Sequence, residues 1–200
     1  MVKEKKSSSH SGRHFGVYKS VTNDKRLLPI CTQLFNIPYM TGTPYHRWSG
    51  FVNIMTLKEE NNLKVDKLRS LILGEADLNM GGRIFVNRKM LQGAEKLNLI
   101  SREHYGGRKG MKATDAVLNE RLALDNIRLA KRPAAILSTD AANCYDRMVH
   151  SIISLRVQRL GLTLSIVLAL LRPLQESRHF IRSAYSDSTT HYGGKRDVPF

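Results

Sequence analysis

The sequence of 200 residues predicts an α+β protein that is mostly helical. Two apolar runs rich in β-branched residues, 51–57 and 67–73, lie on either side of a polar stretch, which is typical of a β-hairpin. Apolar residues recur with helical spacing over residues 75–99 and 113–130. A short apolar run at residues 134–137 ends just before a carboxylate and predicts one further strand.

Turn signals divide the remaining helical segments. Residues 27–35 are mostly apolar and predict a short helix that ends at Pro38, because the residue before a proline is biased away from the helical conformation. Gly161 predicts the end of a helix that begins near residue 146, and a further apolar helix is predicted over residues 163–174. The rest of the chain is polar and predicts hairpin-like pieces.

The composition indicates a partner with many negative charges. The chain has 32 Lys and Arg against 17 Asp and Glu, a net charge of +15 and a pI near 10.1. Such a balance points first to nucleic acid and second to an anionic membrane surface. The hydrophobic content of 42% is that of a globular protein and argues against wholesale disorder. Charge therefore selects a class of partner but no chemistry.

Cysteine content and hydropathy indicate the compartment. Cys31 and Cys144 are too few for a disulfide framework and lack the spacing of a zinc site, which predicts a reducing intracellular setting, with nucleus and cytoplasm both left open. No signal peptide and no membrane partner are expected, because the longest apolar stretch, residues 164–171, is too short for a span. Residues 1–26 are polar and basic and predict a partly disordered N-terminal arm.

Asp140 is the first candidate for chemistry. It follows the predicted strand at residues 134–137 and precedes a helix, an arrangement that suits a metal site because the strand holds the carboxylate rigidly. Tyr145 follows five residues later and is succeeded by Asp146 and Arg147. The alternative is that Asp140 and Asp146 only cap the helix that follows.

Four cations are candidates for contacts with phosphate. Lys58 and Arg69 are expected near one end of the predicted hairpin, where they would clamp a triphosphate, or would simply be two exposed strand charges. Arg108 and Lys109 lie in a glycine-rich loop at residues 102–110 that does not fit the GxxxxGK[ST] pattern. This loop is expected either to contact nucleic acid or to form a plain interhelical turn.

Several segments, taken in order, resemble the reverse transcriptase domain of retrotransposons, most closely the non-LTR type. Residues 11–19 resemble the Ser-Gly-Arg-His-Phe-Gly-His-Tyr-Lys segment at the start of some of these domains. Residues 55–58 and 68–79 are similar to the first fingers motifs. Tyr105-Gly106-Gly107-Arg108 with Thr114-Asp115-Ala116 is similar to the third motif, and residues 139–147 are similar to palm motif A, which reads Asp, four residues, aromatic, Asp.

The resemblance implies the fingers and partial palm of a right-hand polymerase, with fingers to about residue 132 and an incomplete palm over 133–200. It implies nucleotidyl transfer to DNA on an RNA or DNA template-primer, with dNTPs and two magnesium ions (Mg2+). Asp140 would be a catalytic metal ligand, and Tyr145 would lie under the sugar and exclude a 2′-hydroxyl. Lys58 and Arg69 would hold the triphosphate.

Two motifs of this family do not occur in the 200 residues: the Gln-Gly-x-x-x-Ser-Pro loop and the Tyr-x-Asp-Asp hairpin, which supplies further metal-binding carboxylates. We therefore expect the chain to be inactive alone, since one carboxylate cannot hold two metal ions. The alternative function is a non-catalytic basic nucleic-acid-binding protein. An RNA-dependent RNA polymerase shares the palm, but Tyr145 stands where those enzymes usually have a second aspartate.

Overall fold

The computed structural model describes residues 9–60, 62, 64, 67–139 and 148–194 and has the predicted α+β class. A 3₁₀ turn covers His46–Ser49, and a π-helical segment covers Arg83–Leu91. The α-helices are α1 (Phe15–Thr22), α2 (Leu27–Thr41), α3 (Ala76–Gly82), α4 (Gln92–Lys96), α5 (Ala113–Leu129), α6 (His150–Arg159) and α7 (Leu164–Gln175). The strands are β1 (Gly50–Leu57), β2 (Leu68–Leu73), β3 (Arg178–Arg182) and β4 (Tyr192–Gly193).

The chain divides into two compact units. The first consists of Met1–Met90 together with His150–Phe200, and the second of Leu91–Val149. The predicted boundary near residue 132 separates fingers from palm, a functional division that these compact units do not test, so it stays a prediction. Part of the predicted N-terminal arm is also ordered: residues 15–22 form α1, and Ser9 and Ser11 hydrogen-bond to Glu75.

The sheet of the first unit has the strand order β2-β1-β3-β4. Strands β1 and β2 pair antiparallel, with Val52 opposite Leu73 and Leu57 opposite Leu68, which confirms the predicted hairpin. Strand β3 pairs parallel to β1 on its other side, and β4 pairs antiparallel to β3. The two parallel strands are separated by more than a hundred residues, so local sequence patterns carried no signal for this pairing.

One buried amide connects all four strands. Asn53 on β1 is 1% exposed, and its Oδ1 accepts a hydrogen bond from Ser70 Oγ on β2. Its Nδ2 donates to the Tyr192 hydroxyl on β4 and lies 3.2 Å from His179 Nδ1 on β3. Because a buried amide without partners is costly, these bonds favour one register of the sheet over its alternatives.

The core of the first unit is largely aromatic. Helix α2 packs against α7, and α7 also contacts the 3₁₀ turn. The buried cluster between these elements and the sheet consists of Tyr39, Trp48, Phe51, Leu78 and Ala169. The ring centroids of Tyr39 and Trp48 lie 5.7 Å apart, and those of Tyr39 and Phe85 lie 4.6 Å apart, in the tilted geometry that aromatic pairs prefer.

The predicted end of the second helix at Pro38 is wrong. Helix α2 continues through Pro38 to Thr41 and ends at Gly42, whose φ is 73°. A proline within a helix leaves the carbonyl four residues earlier without its usual donor, here the carbonyl of Leu34. The Tyr45 hydroxyl donates to this carbonyl at 2.5 Å, so a tertiary contact replaces the missing helical hydrogen bond.

The strand predicted at residues 134–137 is also wrong, because residues 132–139 form no regular structure. Ile136 and Leu137 are exposed, and the described strands include no neighbour for this segment. A strand requires a partner for its backbone hydrogen bonds, and an apolar run by itself does not reveal whether one exists. The later prediction of hairpin-like pieces after α7 is confirmed by β3 and β4.

Gly81 on α3 provides a test of the aromatic core. A Cβ at position 81 would overlap the hydroxyl oxygen of Tyr39, which is only 4% exposed. We expect Gly81→Ala to lower the free energy of unfolding by about 1–3 kcal/mol or more, because the buried ring has to move.

Gly82→Ala is the matched control, since a Cβ at the next position meets no atom within 4 Å. In a helix this change should raise the stability by up to about 1 kcal/mol. Urea unfolding of both variants measures the difference. Equal effects of the two substitutions would contradict the packing of Tyr39 against α3.

Candidate functional site

The hairpin presents two of the predicted site residues together. Arg69 pairs with Thr56 across β1 and β2, and Lys58 follows Thr56 by two residues. Because side chains alternate along a strand, this register puts Lys58 and Arg69 on the same face at the tip of the hairpin. Both residues are exposed, and neither forms an ion pair with any residue that the structure describes. Their geometry allows both cations to contact one anionic ligand.

The loop cations Arg108 and Lys109 differ in their surroundings within the second unit. The Arg108 guanidinium donates to Glu95 Oε1 at 3.0 Å and to the carbonyl oxygens of Ser101 and His104. These bonds hold the glycine-rich loop against α4 and engage the side chain that was expected to contact nucleic acid. Lys109 is exposed and has no hydrogen-bond or ion-pair partner among the residues described.

Asp140 and Tyr145 lie outside the described residues, as do Asp146 and Arg147. Where the structure does describe the chain, no three His, Cys, Asp or Glu side chains are grouped so as to hold a metal ion. The magnesium site at Asp140 therefore stays a prediction. No helix within the described ranges is long and apolar enough to cross a bilayer.

Sequence reasoning missed a buried ionic cluster at the centre of the first unit. Arg47, in the 3₁₀ turn, donates from both terminal nitrogens to Asp77 on α3, with Nη1 2.8 Å from Oδ1. The same Nη1 donates to Glu75 Oε2 at 3.0 Å. Asp77 is 3% exposed and Glu75 is fully buried, so a guanidinium fork compensates two carboxylates that water cannot reach.

Neutral donors complete the cluster. Trp48 Nε1 donates to Asp77 Oδ1 at 2.9 Å, and the Tyr18 hydroxyl also hydrogen-bonds to this carboxylate. Ser9 Oγ and Ser11 Oγ donate to the two oxygens of Glu75 at 2.7 and 3.0 Å. Every carboxylate oxygen is thus occupied, which suits a structural role and leaves no free oxygen for proton transfer or metal binding.

The cluster shifts the pKa values of its members. Burial acts to raise the pKa of Asp77, but the hydrogen bonds and charge of Arg47, with the Trp48 and Tyr18 bonds, outweigh it and lower the pKa. The hydrogen bonds that Arg47 donates to Asp77 raise the pKa of the guanidinium above its ordinary value. Burial and the nearby charge of Asp77 raise the pKa of Tyr18 to about 12. At neutral pH Asp77 and Arg47 are therefore both charged, and the Tyr18 hydroxyl keeps its proton and donates a hydrogen bond.

The sequence carried little signal for this cluster. Arg47 and Asp77 are 30 residues apart, and the sequence places Asp77 in a helical segment that resembles a fingers motif without indicating a buried partner. Asp77 in the first turn of α3 fits the preference for acidic residues there. Nothing in the local pattern indicates that its partner is an arginine from a preceding turn.

No protein-family model and no curated protein matches the chain significantly. The resemblance to reverse transcriptases therefore rests on the order of the motifs in the sequence. The hairpin geometry at Lys58 and Arg69 is compatible with that resemblance but does not require it.

The buried Asp77 predicts a dependence of stability on pH. The pKa of its carboxyl is lower in the folded chain than the ordinary value near 3.8, so its contribution is present above that value and is lost as the pH falls through the folded pKa. We expect the urea midpoint of the wild type to drop between pH 5 and pH 3 by more than that of Asp77→Asn.

Asp187→Asn is the control for this comparison. Asp187 pairs with Arg182, which lowers the pKa of its carboxyl in the same direction, but its side chain is 23% exposed. Solvent screening weakens such a pair, so this variant should keep most of the acid sensitivity of the wild type. Identical pH profiles for the wild type and Asp77→Asn would contradict the assignment.

Proposed function

We propose that the chain is the fingers and first part of the palm of a retroelement reverse transcriptase, an RNA-directed DNA polymerase. The proposal is supported by the order of the sequence motifs and by the net charge of +15, which suits a template-primer. In this function a primer 3′-hydroxyl attacks the α-phosphate of a dNTP, and divalent ions stabilise the attacking and leaving oxygens.

The pairing of Lys58 and Arg69 on one hairpin face is the structural observation that carries the proposal. The hairpin is stiffened by its antiparallel register, and Thr56 Oγ1 donates to the Arg69 carbonyl at 3.0 Å. Arg69 offers a planar fork that matches two phosphate oxygens, and Lys58 offers a compact charge beside it. Two cations that have no ion-pair partner among the described residues and are held on one face suit a triphosphate better than an isolated phosphate.

Asp140 and Tyr145 have the remaining roles in this proposal. Asp140 is the metal ligand, because a carboxylate oxygen is the kind of ligand that Mg2+ prefers. Tyr145 discriminates the sugar by its bulk. The additional carboxylates that a two-metal site needs are supplied by a motif that these 200 residues do not contain, so this chain alone is proposed to be inactive.

A non-catalytic nucleic-acid-binding protein is the second candidate function. It is favoured by the excess of 32 basic over 17 acidic residues, which serves any polyanionic partner. The two candidates differ in their need for the hairpin cations: a polymerase uses Lys58 and Arg69 on a triphosphate, whereas a binding protein has no use for a nucleotide at that place.

Triphosphate binding tests the role of the hairpin. We expect the 200-residue chain to bind fluorescent dTTP, and Lys58→Ala or Arg69→Ala to weaken the Kd by about tenfold each, since each removes a charge-assisted contact. Arg69→Lys should have an intermediate effect because it keeps the charge and loses the fork. The Kd is measured by fluorescence titration.

Lys25→Ala is the matched control for this titration, because it removes an exposed positive charge from the turn between α1 and α2. It should leave the Kd for dTTP unchanged within twofold, because salt screens the interaction between distant exposed charges. An equal loss in Lys25→Ala would show general charge attraction and would contradict the triphosphate role.

Primer extension tests the catalytic part of the proposal. The 200-residue chain should extend no primer with Mg2+ and dNTPs, and a single added nucleotide would contradict its proposed inactivity. A longer chain that carries the two missing motifs should synthesise DNA, and Asp140→Ala should abolish that synthesis because it removes a metal ligand. Undiminished synthesis by Asp140→Ala would overturn the role of this aspartate.

A further inference from the structure

A basic cleft that the proposed polymerase chemistry does not use lies beside α1 in the first unit. Its larger part has a volume of about 620 Å³ and is lined by residues of the N-terminal segment, the end of β2, α3 and the π-helical segment. A neighbouring cavity of about 440 Å³ shares Phe15, Arg83 and Asn87 with it. The two cavities are therefore adjacent, and we call them together the α1 cleft.

The charge of the α1 cleft is positive. Arg13, His14 and Arg83 line the larger cavity, and Arg83 and Arg88 line the smaller one. No Asp or Glu belongs to the described lining of either cavity. Arg13, Arg83 and Arg88 are exposed, and no carboxylate of the described residues lies within ion-pair distance of them. Their charge is therefore available to an anion.

The buried cluster keeps this charge from being cancelled. Glu75 lies next in sequence to Gly74 and Ala76, both of which line the cleft, yet its own side chain is fully buried. Arg47 and the hydroxyls of Ser9 and Ser11 donate hydrogen bonds to its carboxylate. The same serine bonds fix the backbone just before Arg13, so this arginine projects from an anchored segment.

The π-helical segment aligns the cations of the opposite wall. Its i→i+5 hydrogen bonds bring residues five apart to the same side, which applies to Arg83 and Arg88. An α-helical geometry would turn these two side chains away from each other. Asn87 lies on the same side, in both cavities, and its amide can donate and accept hydrogen bonds.

We infer that the α1 cleft binds single-stranded nucleic acid. A strand needs cations in a row for successive phosphates, apolar surface for bases and sugars, and groups that tolerate many base edges. Arg13, Arg83 and Arg88 supply the row of cations. Phe15 contributes apolar surface, and Asn87 contributes the amide. Two adjacent cavities suit successive nucleotides of one strand, whereas a duplex has its base edges paired and would reach only the rim.

The α1 cleft is separate from the hairpin tip. Ile72, near the end of β2, is the lining residue nearest to Arg69 along the strand, and Arg69 lies three residues earlier toward the tip. At about 3.3 Å per residue their Cα atoms are roughly 10 Å apart. The inference shares the class of partner with the proposed function but needs no polymerase chemistry, so each can fail without the other.

Fluorescence anisotropy with labelled single strands tests the α1 cleft. The probes are a thymidine oligodeoxynucleotide and a uridine oligoribonucleotide of about twelve residues, long enough to fill one binding site. We expect Arg13→Ala and Arg83→Ala to weaken the Kd by about fivefold each, because each removes a charge-assisted contact with phosphate. Each substitution should also reduce the salt slope of log K by about 0.7.

Arg26→Ala is the matched control, because Arg26 is an exposed arginine outside the cleft, with a side chain that is 92% exposed. It should change the Kd by less than about twofold, as expected for a screened surface charge. Equal weakening by Arg26→Ala and the cleft variants would overturn the inference, and so would a duplex of the same length that binds as tightly as the single strand.

Two further measurements keep the outcomes distinct. Circular dichroism and urea unfolding of Arg13→Ala and Arg83→Ala should match the wild type, since both side chains are exposed. Lys58→Ala and Arg69→Ala should leave binding of the single strand within about twofold of the wild type, because they lie outside the cleft. If these hairpin variants weaken it as much as the cleft variants do, the strand binds at the hairpin and the α1 cleft is not its site.

Discussion

The ion pair between Arg47 and Asp77 is the interaction on which the first unit depends. Removal of one partner from such a buried pair costs about 3–5 kcal/mol, because it leaves an uncompensated charge away from water. The pair fixes the 3₁₀ turn against α3, and through Glu75 it also fixes the segment that leads into α1. Three parts of the chain that are distant in sequence thus converge on one guanidinium.

This arrangement explains how a chain with a net charge of +15 keeps its cations available. Glu75 and Asp77 lie on either side of Ala76, which lines the α1 cleft, and both have buried side chains that pair with Arg47. Among the described residues, Arg13, Arg83 and Arg88 therefore have no carboxylate within ion-pair distance that would screen them from a polyanion. At the hairpin tip, Glu59 pairs with Lys67, and Lys58 has no ion-pair partner among the described residues.

A buried polar side chain also specifies how the strands of the sheet pair. Asn53 satisfies its amide only when β2, β3 and β4 are all in register, so one polar side chain specifies the pairing of strands from both ends of the first unit. Polar groups in a core contribute little net stability, but an unsatisfied one is costly. The parallel pairing of β3 with β1 therefore depends on specific contacts as well as on apolar burial.

Local chemistry determined the hairpin and most helices, because alternation, helical spacing and a polar turn act over a few residues. The tertiary structure decided the rest. The hydrogen bond from Tyr45 allows α2 to continue past Pro38, and residues 134–137 have no partner among the described strands. The cluster around Arg47 and the α1 cleft join residues that are distant in sequence. Such contacts depend on how the elements pack, which no short stretch of sequence encodes.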